Sequence, residues 1–197
     1  MPDHAPTRPG LKRHPDHALF FAAIPPPGIA DAMAEAWGTY GTGARLRRNT
    51  LHLSIYSVAS ADDLDPVLVR RARQMPQSLR TAPFTLRFDC LKPLPGGAGN
   101  PALAIMADSN ASLDAIASDL HAAARRLSLP GDRGGRVTPH VTLAYGPSFG
   151  DTRPIGTPIL WTIEEIALID SHVGKSHHAS LGQWPLPKDR EQQGFDF

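Results

Sequence analysis

The sequence predicts an α+β fold made of a duplicated unit, in which two antiparallel sheets face each other across a central cleft and helices lie on their outer sides. Two observations support this bilobal arrangement. A motif of histidine, apolar residue and hydroxyl residue occurs twice, as His52-Leu53-Ser54 and as His140-Val141-Thr142. The strands and helices predicted around the two copies also follow a roughly similar order, as expected for a duplicated unit.

Both copies of the motif are predicted to lie on half-buried β-strands, because polar and apolar residues alternate there. The polar positions are Arg48, Thr50, His52 and Ser54 in the first copy, and Arg136, Thr138, His140 and Thr142 in the second. Side chains two positions apart on a strand point the same way. Each copy therefore presents its polar residues on one face and an apolar face to the core. Two imidazoles and two hydroxyls on equivalent strands can flank one phosphate group.

The first half of the chain contains two predicted strands and two predicted helices. The apolar run Ala18–Ile24 predicts a buried strand. The prolines after it predict a helix at Gly28–Trp37, because proline is tolerated in a first helical turn. Thr50–Val58 is the first motif strand. Ser60 can cap a helix at Ala61–Met75, whose first turn holds aspartates that favour a helix N-terminus.

The second half of the chain begins with predicted strands at Phe84–Leu91 and Ala102–Ala107, which are separated by a loop rich in proline and glycine. Apolar residues at helical spacing predict an amphipathic helix at Ser112–Leu127. A glycine-rich loop leads into the second motif strand. Apolar runs at Trp161–Asp170 and Ala179–Leu186 predict the last strands.

The composition is that of a globular protein. The 197 residues fit one domain or two small lobes that share a core. We expect a disordered arm at 1–16, a single bilobal domain at 17–187 and a polar tail at 188–197. A net charge of +1 argues against a strongly basic coat for nucleic acid. The single cysteine, Cys90, allows no internal disulfide and fits a reducing compartment. Because neither a secretory signal nor an apolar membrane span is recognised, we expect a cytoplasmic protein that does not bind a membrane. A monomer is expected as well, although no feature of the sequence indicates the oligomeric state.

The segments LHLSIY and PHVTLAYG resemble the paired motifs of the two-histidine phosphoesterase superfamily, in particular the bacterial RNA 2′,3′-cyclic phosphodiesterases, also called 2′-5′ RNA ligases. The resemblance covers about residues 17–187 and implies a bilobal α+β fold. The chain departs from the family pattern at three places. Ala18 and Tyr145-Gly146 stand where many relatives have arginine, and His178 stands near the position of a tyrosine. These departures leave both motif histidines in place and concern groups that ordinarily contact phosphate or base.

The resemblance implies metal-independent hydrolysis of RNA 2′,3′-cyclic phosphate ends to 2′-phosphomonoesters, with His52 as proton donor and His140 as proton acceptor. The reverse reaction would join RNA ends through a 2′-5′ linkage. Imidazole titrates near neutral pH and suits both roles, and the residues alone leave their assignment open. Phosphate contacts are expected from side chains on the same face: Ser54, Thr142, Arg48 and Arg136. The expected partner is RNA or a nucleotide with a 2′,3′-cyclic phosphate, and no metal or other cofactor is required.

Aromatic side chains near the motif can stack on a base, as is common in single-stranded RNA recognition. Tyr56 has the same parity as His52 and is the predicted stacking residue. Phe20 and Phe21 are further candidates, of which at least one belongs to the core because neighbours on a strand face opposite sides.

Two alternatives to RNA hydrolysis stay open. The same mechanism can act on ADP-ribose cyclic phosphate or on a 2′-5′-linked oligonucleotide, and a non-catalytic RNA- or nucleotide-binding module can keep the same cleft. ATP-driven ligation is not expected, because the chain has no P-loop pattern. A cluster of His172, His177 and His178 lacks a carboxylate or cysteine partner at regular spacing, so a zinc site is not predicted there.

Overall fold

A computed structural model describes residues 15–40, 43–95, 101–132, 136–146 and 149–188. In chain order its strands and helices are β1 (His17–Ala23), α1 (Pro27–Tyr40), β2 (Leu53–Ala61), α2 (Pro66–Ala72), β3 (Phe84–Leu94), β4 (Ala102–Ala107), α3 (Ala111–Arg126), β5 (His140–Tyr145), β6 (Arg153–Ile163), β7 (Glu165–His172) and β8 (His177–Pro185). Short 3₁₀ helices lie at Arg48–Thr50 and Met75–Ser78. The predicted mixture of helices and antiparallel strands is confirmed. Apart from residues 15, 16 and 188, the expected arm and tail lie outside the described residues.

The strands form one antiparallel sheet of eight, in the order β6-β3-β4-β5-β2-β1-β7-β8. This corrects the prediction of two sheets that face each other across a cleft. The motif strands β2 and β5 are neighbours, joined by the pair Leu53 and Val141. Pairing at this position joins the two halves of the sheet, β6-β3-β4-β5 and β2-β1-β7-β8. The alternation in the sequence indicates which way each side chain points, but it does not identify the neighbouring strand.

The helices cover one face of the sheet, which we call the helix-covered face. Helix α1 packs on β5 and β6, and α3 packs on β2. Leu53, Val141 and Phe21 are fully buried there, in one core together with apolar residues of both helices. The opposite face, here the second face, carries a separate small apolar cluster of Phe20, Ala22, Ala167 and Ile169. Within the described residues, no helix is both long enough and apolar enough to cross a membrane.

The second helix begins later than predicted. Ser60 belongs to β2, and α2 begins at Pro66, with the Asp65 carboxylate accepting a hydrogen bond from the Val67 backbone N–H at 2.8 Å. A helix from Ala61 would place Pro66 in its interior, where proline removes a hydrogen bond and clashes with the preceding turn. Proline in the first turn, after an aspartate cap, is favourable.

The segment Trp161–Asp170, predicted as one strand, is two strands that break at Glu164. Strand β6 pairs with β3, whereas β7 pairs with β1 in the other half of the sheet. Glu164 and Glu165 are both exposed, so the alternation of buried and exposed positions is interrupted at the break. The Glu164 carbonyl accepts a hydrogen bond from the Leu186 backbone N–H at 2.7 Å.

Candidate active site

The two motifs meet at the centre of the sheet, on its second face. Leu53 and Val141 are paired and fully buried on the helix-covered face. Because side chains alternate along a strand, the residues before and after Leu53, and those before and after Val141, point to the second face. Strand pairing agrees, since Ser54 lies opposite Ala22 of the second-face cluster. The structure therefore brings together the four predicted motif side chains: His52, Ser54, His140 and Thr142.

Both motif histidines are held in the same way. The Nδ1 atom of His52 lies 2.9 Å from the carbonyl oxygen of Thr50, and Nδ1 of His140 lies 2.8 Å from that of Thr138. A carbonyl oxygen only accepts hydrogen bonds, so Nδ1 of each ring carries the hydrogen and donates it. Nε2 is then the nitrogen that accepts a proton in the neutral ring and donates one in the charged ring. The repeated threonines thus orient the imidazoles through their backbone carbonyls.

His52 packs in an aromatic cluster with Phe20 and His178. Its ring centroid lies 5.0 Å from that of Phe20 and 5.0 Å from that of His178. The pKa of His52 is lowered from 6.5 to about 4, mainly by burial of the ring. The hydrogen bond to the Thr50 carbonyl opposes this shift, and positive charge on His178, Arg47 and His140 adds to it. Burial also lowers the pKa of His178 to about 4. Both imidazoles are therefore neutral at pH 7 in the ligand-free protein.

We expect the His52 imidazole to titrate near pH 4 in NMR spectra, with its resonance assigned from the His52→Gln variant. A histidine whose pKa is lower in the folded state favours folding in its neutral form. The stabilisation is complete above about pH 6.5 and is lost as the pH falls towards 4. Phe20→Ala should raise the pKa by admitting water to the ring, whereas Phe84→Ala, on β3, should leave it unchanged. A midpoint near 6.5 in the unsubstituted protein would contradict the burial argument.

Arg48 does not share the face of His52, although the alternation in the sequence predicts that it does. It lies in the 3₁₀ helix that precedes β2, where the two-residue period of a strand is lost. Its guanidinium pairs with the carboxylate of Asp31 on α1.

Arg47 is the site residue that sequence reasoning missed. Its positive charge contributes to the lowered pKa of both His52 and His178, so its guanidinium lies near both rings. The guanidinium lies 4.9 Å from the centre of the Tyr145 ring, and the Arg47 backbone N–H donates to the Leu143 carbonyl at 2.8 Å. The only available signal was the cluster of three arginines at 45, 47 and 48. Local alternation selects the wrong one of them.

Arg136 lies on the side of the site that is formed by the second motif. It lines a groove of about 410 Å³ together with Ser54 and His140. Its side chain is 83% exposed, and its Nε lies 3.9 Å from a carboxylate oxygen of Asp114. This weak, solvated ion pair leaves the guanidinium able to turn towards an anion in the groove.

Tyr56 points away from the motif face. The pairing of β1 with β2 shifts register, so that Tyr56 lies opposite Phe21 while Ser54 lies opposite Ala22. This β-bulge turns Tyr56 to the helix-covered side. The residue is 4% exposed, and its hydroxyl donates to the Asp132 carbonyl at 3.1 Å. The prediction that Tyr56 points to the same face as His52 is therefore wrong. Among the described phenylalanines and tyrosines, Phe20 is the one whose ring packs against a motif histidine, whereas Tyr56 lines the groove that Ser54, His140 and Arg136 also line.

A larger groove, of about 600 Å³, lies between α1 and β6. Its lining is mostly apolar, and among the residues that the structure describes Glu35 is its only ionisable one. We assign no chemistry to this groove, because both histidine motifs lie away from it, in the centre of the sheet.

Comparisons with known proteins place this arrangement among related folds. The family model of the 2′-5′ RNA ligase superfamily matches residues 25–175, a range that contains both motifs. Similar solved structures include a phosphoesterase (TM-score 0.71, 20% identity, 88% of this chain and 99% of that chain). They also include E. coli LigT complexed with 3′-AMP (TM-score 0.70, 20% identity, 89% of this chain and 100% of that chain). A third is TT0787 of Thermus thermophilus (TM-score 0.68, 20% identity, 87% of this chain and 99% of that chain). At these identities the likeness shows the fold alone. No curated protein sequence matches the chain significantly.

Proposed function

Because the chain belongs to the 2′-5′ RNA ligase superfamily, we propose that it hydrolyses 2′,3′-cyclic phosphate ends of RNA to 2′-phosphomonoesters. One observation carries the proposal. Two histidines, each held through Nδ1 by a backbone carbonyl, lie on either side of the Leu53–Val141 pair. They point to the second face of the sheet, together with the two hydroxyl residues Ser54 and Thr142. This arrangement supplies an acid, a base and phosphate contacts to one small ligand. Because imidazoles make both proton transfers, the proposed reaction needs no metal ion.

In the proposed reaction a water oxygen attacks phosphorus while Nε2 of His140 takes the water proton. The bond between phosphorus and the 3′-oxygen breaks, and Nε2 of His52 gives a proton to the leaving oxygen. These roles follow the family resemblance. His52 must therefore be protonated in the complex, although it is neutral in the free protein. A phosphate anion beside the ring favours the charged form and raises its pKa, so substrate binding itself would charge the acid. If the 5′-hydroxyl of a second RNA attacked phosphorus in place of water, with the bond to the 3′-oxygen breaking as before, the product would be a 2′-5′ linkage.

Hydroxyl and guanidinium groups on either side of the histidines can hold the phosphate. Ser54 is exposed and Thr142 is half-buried, so both hydroxyls are available to a ligand on the second face. Each can donate a hydrogen bond to a non-bridging oxygen, where negative charge sits throughout the reaction. Arg47 and Arg136 would add charge-assisted contacts from opposite sides.

We expect Arg47→Ala to raise KM for the RNA substrate by about 10–100-fold, the effect of losing one charged hydrogen bond to phosphate. Arg48→Ala is the matched control, because that guanidinium pairs with Asp31 outside the site. It should change KM by less than about threefold, since an exposed ion pair contributes little. Steady-state kinetics on both variants measure this difference. If Arg48→Ala raised KM more than Arg47→Ala does, the phosphate contact would belong to Arg48 instead of Arg47.

The proposed function is tested by incubating the protein with a short RNA that ends in a 2′,3′-cyclic phosphate, in the presence of EDTA. The position of the product phosphate is then determined. Conversion to the 2′-phosphate would support the reaction, its regiochemistry and its independence of free metal. A 3′-phosphate product would contradict the assigned leaving oxygen. Tight binding of the same RNA without turnover would favour a non-catalytic binding module.

A nucleotide is the second candidate substrate, under the same mechanism. Crystals of E. coli LigT, which has the same fold, contain NADP⁺ or 3′-AMP. Comparing kcat/KM for 2′,3′-cyclic AMP, ADP-ribose cyclic phosphate, a 2′-5′-linked dinucleotide and the cyclic-ended RNA separates the candidates. A preference for RNA would support contacts beyond the terminal nucleotide, whereas a preference for one of the small compounds would identify that class as the substrate.

A further inference from the structure

A second cluster of histidines lies at one end of the sheet, where β1 begins and β7 ends. Nδ1 of His17 is 2.9 Å from Oδ1 and 3.0 Å from Oδ2 of Asp170. Nε2 of His172 is 3.5 Å from Oδ2 of the same carboxylate. The three residues each offer one potential ligand atom, and these atoms lie within 4.8 Å of one another.

This cluster is separate from the proposed catalytic site, because it lies on the other face of the sheet. His17 pairs with His172, and Asp170 pairs with the core residue Leu19, in a β1–β7 register without shifts. All three side chains therefore point to the helix-covered side. His178 pairs with Ser171, between the two β7 positions, and so points to the second face towards His52.

The donor set fits a divalent transition metal. Two imidazoles and one carboxylate are ligands that Zn²⁺ favours, and tetrahedral coordination at Zn–N distances of about 2.0–2.1 Å separates ligand atoms by about 3.3 Å. Ligand atoms within 4.8 Å of one another can reach that spacing through small side-chain rotations. Asp170 is only 8% exposed, and its carboxylate is held between the two imidazoles, so the three ligand groups are already gathered in one place.

We propose that His17, Asp170 and His172 bind one divalent transition-metal ion, with Zn²⁺ as the best match. His177 or water completes the coordination. His177 pairs with His172 across the β7–β8 hairpin, and their ring centroids are 4.9 Å apart. Asp170 lies two positions before His172 on β7, so the strand period puts both on one face, and the fold adds His17 from β1.

The site joins the start of β1 to the β7–β8 hairpin. The residue after His177 is His178, which packs against His52 on the second face. A metal ion would therefore fasten the strand that carries His178, without contacting the proposed substrate. Its role would be structural, because the second face and the cluster lie on opposite sides of the sheet.

Co²⁺ is the probe for the test, because its visible spectrum reports tetrahedral coordination. Untagged, metal-free protein is titrated with Co²⁺, and Zn²⁺ is then added to displace it. We expect one tetrahedral Co²⁺ per chain, and an affinity at least about 10-fold lower in Asp170→Asn and His172→Ala. His121→Ala, on α3, is the matched control and should bind as the unsubstituted protein does.

The absence of a tetrahedral spectrum, or equal affinity in the unsubstituted protein and in both ligand variants, would overturn the proposal. Circular dichroism in EDTA establishes whether each variant is folded. If one is not, His17→Ala and His172→Gln replace it. The measurement uses no substrate, so its result is independent of whether the protein turns over RNA.

Discussion

Replacing His52 or His140 by alanine is expected to lower turnover of the cyclic-ended RNA by about 10² to 10⁴-fold, the usual effect of losing a positioned acid or base. Each ring is oriented by a hydrogen bond from Nδ1 to a backbone carbonyl, so Nε2 has a fixed direction towards the substrate. Single-turnover rates at saturating RNA measure the loss. We expect both variants to bind the substrate, because the hydroxyl and guanidinium contacts remain.

The matched control for the histidine variants is His121→Ala. His121 lies on α3, and its Nδ1 is 3.0 Å from the carbonyl oxygen of Asp132, so it has the same kind of backbone contact without a place in the motif face. Its turnover should stay within about twofold of the unsubstituted protein. Near-normal turnover in His52→Ala or His140→Ala would rule out the two-histidine mechanism.

Replacing Leu53 by alanine is expected to lower the free energy of unfolding by about 2–5 kcal/mol, the range for removing a buried leucine side chain. Leu53 is fully buried between the two motifs and pairs with Val141, where the two halves of the sheet join. Loss of its side chain leaves a cavity directly under the site. Urea unfolding, followed by circular dichroism, measures the change.

Leu160→Ala is the control for the Leu53 variant, because Leu160 is also a strand leucine but is 61% exposed on β6. Its effect should be within about 0.5 kcal/mol. A loss of less than about 1 kcal/mol in Leu53→Ala would mean that the junction between β2 and β5 does not depend on this side chain.

Features that depend on local backbone geometry could be predicted from the amino-acid sequence. The two-residue period placed His52 with Ser54 and His140 with Thr142, and the structure keeps each pair on one face. The strand Ala102–Ala107 has the predicted bounds, and α3 differs from its prediction by one residue at each end. Such features follow from the alternation along a strand and the spacing along a helix, which are both properties of neighbouring residues.

Which strands are neighbours, and which distant side chains meet, became clear only in the folded chain. Alternation could not show that β2 and β5 join in one sheet, that a bulge turns Tyr56 inward, or that a 3₁₀ helix moves Arg48 away while the charge of Arg47 acts on the histidines. His17 and Asp170 meet across 153 positions of the chain. The junction of β2 with β5, the bulge, the 3₁₀ helix and the His17–Asp170 contact have one physical reason. Strand pairing and local breaks in register are set by how the whole chain buries its apolar surface, and no short segment of sequence contains that information.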